Sequence, residues 1–198
     1  MEWRERYERA AARYARGETR ELDERQLVQL ANAAWAAGLS LLMDGDREGA
    51  AKWLRLAAAR YRESWVVGSD SWGRPIGAMK ALLIAGDDAG EAARWALDAE
   101  AAIAESPIGR YAAALALLIL DNDEMAARHA VDLQREASFP RDVADALAAL
   151  AHRDADGYAA AVAQVRRSFE EREAFLEDIP VSDTALALDA LAALRGLG

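Results

Sequence analysis

The sequence feature that most constrains the fold is a pattern of one aspartate followed by two alanines, which recurs four times. The copies read Asp46-x3-Ala50-Ala51, Asp88-x3-Ala92-Ala93, Asp123-x2-Ala126-Ala127 and, more weakly, Asp156-x2-Ala159-Ala160. The first alanines of successive copies lie 42, 34 and 33 residues apart. A period in this range is typical of repeated supersecondary units that stack on one another.

A second feature is a central apolar run from Ala112 to Leu120, in which nine consecutive residues are apolar. A helix that is apolar on every side is a buried one, and this run is far shorter than the roughly 20 residues that a bilayer requires. Ser106 stands where an N-cap would, and Pro107 fills the first helical position. The stretch predicts a buried helix in the middle of a helical core.

The composition extends this prediction to the whole chain. Apolar residues make up 53% but aromatic residues only 7%, and the surplus is alanine, which favours helices. We therefore predict an all-α protein of about ten helices and no strand. The predicted helices span about 2–16, 23–43, 47–64, 74–85, 89–105, 107–120, 124–136, 140–152, 156–177 and 183–196. We expect one domain over residues 1–198, with capping segments at 1–22 and 178–198 around helix-pair repeats at 23–177.

The repeat resembles the tetratricopeptide repeat, a 34-residue helix-turn-helix unit. The unit from about Asn32 to Ser64 carries the resemblance most closely. Gly38 takes its helix-crossing position, Gly45-Asp46 its turn, and Ala50, Leu54 and Ala57 its second helix. The resemblance, which covers roughly residues 27–170, implies stacked antiparallel pairs in a right-handed superhelix whose groove binds peptides. The stretch from Tyr158 to Leu197 also resembles helical immunity proteins that neutralise bacterial toxins.

Charge and residue usage exclude several classes of function. The net charge is -10, with 34 acidic against 24 basic residues, so neither nucleic acid nor an anionic membrane is an expected partner. The chain has no cysteine and therefore forms no disulfide or thiolate site. The stretch Met1 to Arg6 lacks the pattern of a secretory signal, which favours the cytoplasm.

Motifs for catalysis or metal binding are incomplete. The stretch 44–49 begins like a calcium loop, but Arg55 stands where a bidentate glutamate is required. The two histidines, His129 and His152, fall on different predicted helices, and a partly buried structural role suits His129. The stretch 69–73 lacks the first glycine of a hydrolase elbow. We therefore predict no catalytic residue, metal or cofactor, and a protein that is not an enzyme.

Two features remain as candidate binding elements. The stretch from Trp65 to Trp72 is predicted to be a loop in which two indole rings lie among small polar residues. The alternative is that both rings fold back over the first helix pair. Arg74, Arg110 and Arg141 begin successive leading helices, so the repeat could bring them to one rim where they bind carboxylates. The alternative is ordinary pairing with the many acids of the chain.

The function predicted from these patterns is non-catalytic binding of a protein or peptide, including an acidic one, by a helical-repeat scaffold. A toxin-neutralising immunity-type protein is one alternative. A small-molecule or enzymatic pocket at the Trp65–Trp72 stretch is the other. The sequence indicates no particular oligomeric state.

Overall fold

The predicted all-α class is confirmed by the structure, a computed structural model that describes residues 2–19 and 22–197. The described residues form ten α-helices, two short 3-10 turns and no strand. The helices are α1 (Trp3–Glu18), α2 (Glu24–Met43), α3 (Arg47–Val67), α4 (Gly73–Ala85), α5 (Gly90–Asp98), α6 (Pro107–Ile119), α7 (Asp123–Arg135), α8 (Arg141–His152), α9 (Ala155–Glu170) and α10 (Asp183–Leu194). The 3-10 turns span Ala101–Ile103 and Leu176–Asp178.

Three helices end three or more residues away from the predicted position. Helix α3 continues to Val67, three residues beyond the predicted end. Helix α5 stops at Asp98 because Glu100 adopts a left-handed conformation with φ of 67°. Helix α9 stops at Glu170 rather than near residue 177, since residues 170–173 offer no apolar side chain for a further helical turn to bury.

The chain divides into two compact units. The N-terminal unit comprises Met1–Asp87 and Glu173–Asp183, and the C-terminal unit comprises Asp88–Arg172 and Thr184–Gly198. The single domain over 1–198, its capping segments and the superhelix remain predictions.

Helices α2 and α3 of the N-terminal unit lie antiparallel and close together. Between α2 and α3, Gly38 lies so close to Leu54 that an added Cβ would be 2.7 Å from its Cγ. Tyr61 donates a hydrogen bond of 2.8 Å to Asn32 further along the same pair. Gly38 therefore occupies a close helix crossing, as the tetratricopeptide pattern implies.

A polar side chain at each recurring aspartate, or one or two residues before it, accepts a hydrogen bond from an amide at the start of the next helix. Asp46 caps α3 by accepting a hydrogen bond of 2.9 Å from the Gly49 amide, and Asp88 accepts one of 2.7 Å from the Gly90 amide at the start of α5. In the later copies the cap is the polar residue just before the pattern, Asn122 for α7 and Asp154 for α9. The repeated polar residue thus serves helix initiation.

The core of the C-terminal unit contains the predicted buried helix. All residues of α6 from Tyr111 to Leu118 are buried. The Ser106 Oγ accepts a hydrogen bond of 3.2 Å from the Gly109 amide, which confirms the predicted N-cap. The predicted central helix is therefore present, with Ile119 and Leu120 half-buried at its end.

Candidate functional site

The two tryptophans of the predicted loop belong to different local structures. Trp65 lies in the last turn of α3, so the prediction of a loop from Trp65 onward is wrong for residues 65–67, and the loop covers only 68–72. Helix α3 continues through the buried Ser64, whose Oγ donates a hydrogen bond of 2.8 Å to the Tyr61 carbonyl of the same helix. Gly68, with φ of 131°, then ends the helix.

The tryptophan rings pack on each other at the end of α3, where two valines are exposed. The ring centroids of Trp65 and Trp72 lie 5.9 Å apart at an interplanar angle of 41°. Val66 and Val67, in the same last turn of α3, are 75% and 54% exposed. These four residues form what we call the tryptophan-valine patch. Apolar side chains grouped on a surface mark interaction sites more often than scattered ones do.

Arg74 fixes the loop that carries Trp72. Its Nε donates a hydrogen bond of 3.1 Å to the Oγ of Ser69, and its Nη2 lies 3.2 Å from a carboxylate oxygen of Glu24. The guanidinium thus ties the loop after α3 to the start of α2. Arg74 already has a carboxylate partner, and its predicted contact with a ligand carboxylate stays a prediction.

The other two predicted arginines lie in the C-terminal unit. Arg141 begins α8, and its Nε donates a hydrogen bond of 2.8 Å to Asp145. Arg110 lies half-buried on α6, and its charge lowers the pKa of Glu136 in addition to the larger effect of hydrogen bonds from Ser138. A common rim with Arg74, which belongs to the N-terminal unit, is not established.

His129 is buried on α7, which agrees with the structural role predicted for it. Burial lowers its pKa below the ordinary value of 6.5; Arg110 lowers it further, and Asp132 opposes the shift. Its Nε2 is buried and has no hydrogen-bond partner among the described residues. Burial therefore favours the neutral form of the side chain in the folded unit.

The N-terminal unit also contains a cleft that sequence reasoning missed. We call it the arginine cleft; its volume is about 360 Å³. Its lining residues are Arg13, Arg16, Gly17, Gln26, Gln29, Leu30, Ala33 and Glu177. Arg13 Nη2 lies 2.7 Å from a carboxylate oxygen of Glu177. The only sequence signal was the helical spacing of the arginines on α1, because the contact with Glu177 joins residues far apart in the chain.

A second unpredicted arginine stabilises the C-terminal unit. The Arg195 side chain is only 2% exposed, and its guanidinium donates hydrogen bonds to the Leu118 carbonyl at 2.8 Å and Asp121 at 3.0 Å. It also pairs with Asp123, as does Arg153 at 2.9 Å. The network joins Arg195 to the turn between α6 and α7, and the carboxylates of that turn are already paired with guanidinium groups.

Over residues 2–19 and 22–197, no cluster of three or more His, Asp or Glu side chains is placed to hold a metal ion. None of the helices in the described part of the chain is both long and apolar enough to cross a membrane.

Comparison of the chain with protein-family models, with curated proteins and with solved structures finds no match in any of the three. The resemblance to the tetratricopeptide repeat and the fainter one to immunity proteins therefore stay predictions.

Proposed function

We propose that this chain is a non-catalytic helical-repeat protein that binds a peptide or protein through the tryptophan-valine patch. The single observation that carries the proposal is the packing of the Trp65 and Trp72 rings at the end of α3, in the turn where Val66 and Val67 are exposed. Indole and valine side chains supply contact area but no acid, base or nucleophile. The chemistry of the patch therefore suits binding rather than catalysis.

The local structure supports such a role because it makes the patch rigid. Trp65, Val66 and Val67 belong to a helix, and Trp72 is positioned by a loop that Arg74 ties to α2. A preorganised apolar surface loses little conformational entropy when a partner binds. Tryptophans at the centre of such surfaces commonly contribute much of the binding free energy.

The test is a selection of random displayed peptides on the immobilised protein, followed by affinity measurements with purified variants. Val66→Asp places a charge in the patch, and Ala59→Asp places the same charge at an exposed position of the same helix. Both positions are exposed, so circular dichroism should show that both variants fold. We expect Val66→Asp to weaken selected peptides by roughly tenfold or more, because burying an unpaired charge against apolar surface is costly.

The control variant Ala59→Asp should bind the same peptides as the unaltered protein does. Equal affinities for Val66→Asp and Ala59→Asp would show that the peptides bind elsewhere. A selection that enriches no peptide would also contradict the proposal.

A further inference from the structure

Helix α1 presents a row of arginines along one face. Arg6, Arg9, Arg13 and Arg16 follow one another at intervals of three or four residues, which places them on the same side of the helix. The row extends for about 15 Å at a rise of about 1.5 Å per residue. It ends in the arginine cleft, which Arg13 and Arg16 line. The row thus brings four guanidinium groups along one face of α1, in a chain of net charge -10.

This row already holds an acidic stretch of the chain itself. The Glu177 carboxylate pairs with Arg13 at 2.7 Å, and the Asp178 carboxylate lies 4.0 Å from Arg9. Arg6 donates a hydrogen bond to the Asp178 carbonyl. The ligand chemistry that fits the row is therefore visible in the structure: consecutive acidic residues of a polypeptide.

The internal acidic stretch fits the row imperfectly. The Nε of Arg13 is buried and has no hydrogen-bond partner among the described residues, so Arg13 and Glu177 do not form the two parallel hydrogen bonds available to a guanidinium and a carboxylate. Glu177 and Asp178 also have left-handed backbone conformations, with φ of 55° and 60°. Residues other than glycine rarely adopt such conformations. A carboxylate of a separate peptide could accept from Nη2 without this backbone strain.

The cleft also has donors that the internal stretch leaves unused. Arg16 is exposed, and no carboxylate in the described part of the chain pairs with it. Gln26 and Gln29 add amide groups from α2 to the same cleft. A volume of about 360 Å³ accommodates the side chains of a short peptide segment.

We propose that the arginine cleft binds an acidic peptide segment, and that Glu177 is an internal carboxylate which the partner displaces from Arg13. This site is separate from the tryptophan-valine patch and does not rest on the function proposed for it. A partner that binds here replaces the Glu177 carboxylate at Arg13 with a carboxylate of its own. It also makes a contact with Arg16 that the internal stretch does not make. The Glu177–Asp178 stretch consequently lowers the affinity for weakly acidic peptides.

The probe is fluorescein-labelled hexaglutamate with an amidated carboxyl end, and the readout is its anisotropy at low and at physiological ionic strength. Glu177→Gln removes the competing carboxylate while keeping its shape, and we expect it to tighten binding by roughly tenfold, the effect of one charged hydrogen bond. Glu8→Gln, an exposed change on α1, is the control for the change in net charge.

Arg16→Gln should weaken binding by roughly tenfold in the Glu177→Gln background, because it removes a charged hydrogen-bond donor to the peptide. Arg16 has no ion pair among the described residues, so the change breaks none of them. Arg47→Gln, at an exposed position of α3, should have no such effect.

The proposal is overturned if Glu177→Gln binds no tighter than Glu8→Gln, or if Arg16→Gln and Arg47→Gln behave alike. Preference for a neutral peptide with a free carboxyl end would also overturn it, because the site would then bind a chain end rather than acidic side chains. The Val66→Asp variant should bind hexaglutamate normally, so failure of one site does not imply failure of the other.

Discussion

Replacing Gly38 with alanine should destabilise the N-terminal unit, although alanine favours helices more than glycine does. An added Cβ would lie 2.7 Å from Leu54 Cγ, 3.0 Å from Leu54 Cδ2 and 3.2 Å from the Ala50 carbonyl oxygen. Leu54 is fully buried and cannot move aside freely. Overpacking of this kind costs about 1–3 kcal/mol, and the better helix propensity of alanine returns about 1 kcal/mol. We expect a net loss of up to about 2 kcal/mol.

Urea unfolding followed by tryptophan fluorescence measures this loss in the correct unit. Five of the six tryptophans, all except Trp95, lie in the N-terminal unit, so the signal reports mainly on it. Gly73→Ala is the matched control, because a Cβ at Gly73 would meet nothing nearer than the Ser71 hydroxyl at 3.5 Å. This control should be neutral or stabilising by up to about 1 kcal/mol.

A double variant separates crowding from other causes. Leu54→Ala alone should cost about 2–5 kcal/mol by leaving a cavity next to Gly38. In the double variant Gly38→Ala/Leu54→Ala, the new methyl group enters that space. The double variant should therefore lose less stability than the sum of the two single-variant losses. If Gly38→Ala is as stable as Gly73→Ala, or if the losses at Gly38 and Leu54 simply add, the close crossing of α2 and α3 is not what limits residue 38.

Two further predictions concern the C-terminal unit. Arg195→Met should destabilise it by about 2 kcal/mol, because charged hydrogen bonds to Asp121 and Asp123 are lost. The loss is measured as faster amide hydrogen exchange in α6 and α7. Adding Asp123→Asn should recover part of the lost stability, and no recovery would contradict the network. His129 has a folded-state pKa below 6.5, so the unfolded chain takes up its proton first and the unit should lose stability as the pH falls through 6.5. That loss, at most about 1.4 kcal/mol per pH unit, should disappear in His129→Gln and persist in the control His152→Gln.

The sequence predicted those parts of the fold that depend on local patterns. Helix α6 with its Ser106 cap followed from an apolar run and a capping residue, and Gly38 followed from its position in the repeat. The end of α5 could not be read in the same way, because the left-handed residue there is Glu100 and not the glycine that usually marks such a conformation.

In the candidate sites too, residues marked by a local pattern could be predicted, and contacts between residues far apart in the chain could not. Trp65 and Trp72 stood out in the sequence as large rings without an obvious buried face, and the structure places those rings together. Arg13 and Glu177 could not be matched, because an ion pair between residues far apart in the chain leaves no trace in either local pattern. Arg195 was missed since arginine is ordinarily a surface residue, and only the converging carboxylates and carbonyls explain its burial.

The affinity of a selected peptide for the Trp72→Ala variant, measured at low and at high ionic strength, tests the proposed binding function most directly. Trp72→Ala removes apolar contact area and no charge, so the affinity should fall by at least about tenfold and by the same factor at both ionic strengths. Unchanged affinity, or a loss that vanishes at high ionic strength, would contradict binding through the tryptophan-valine patch.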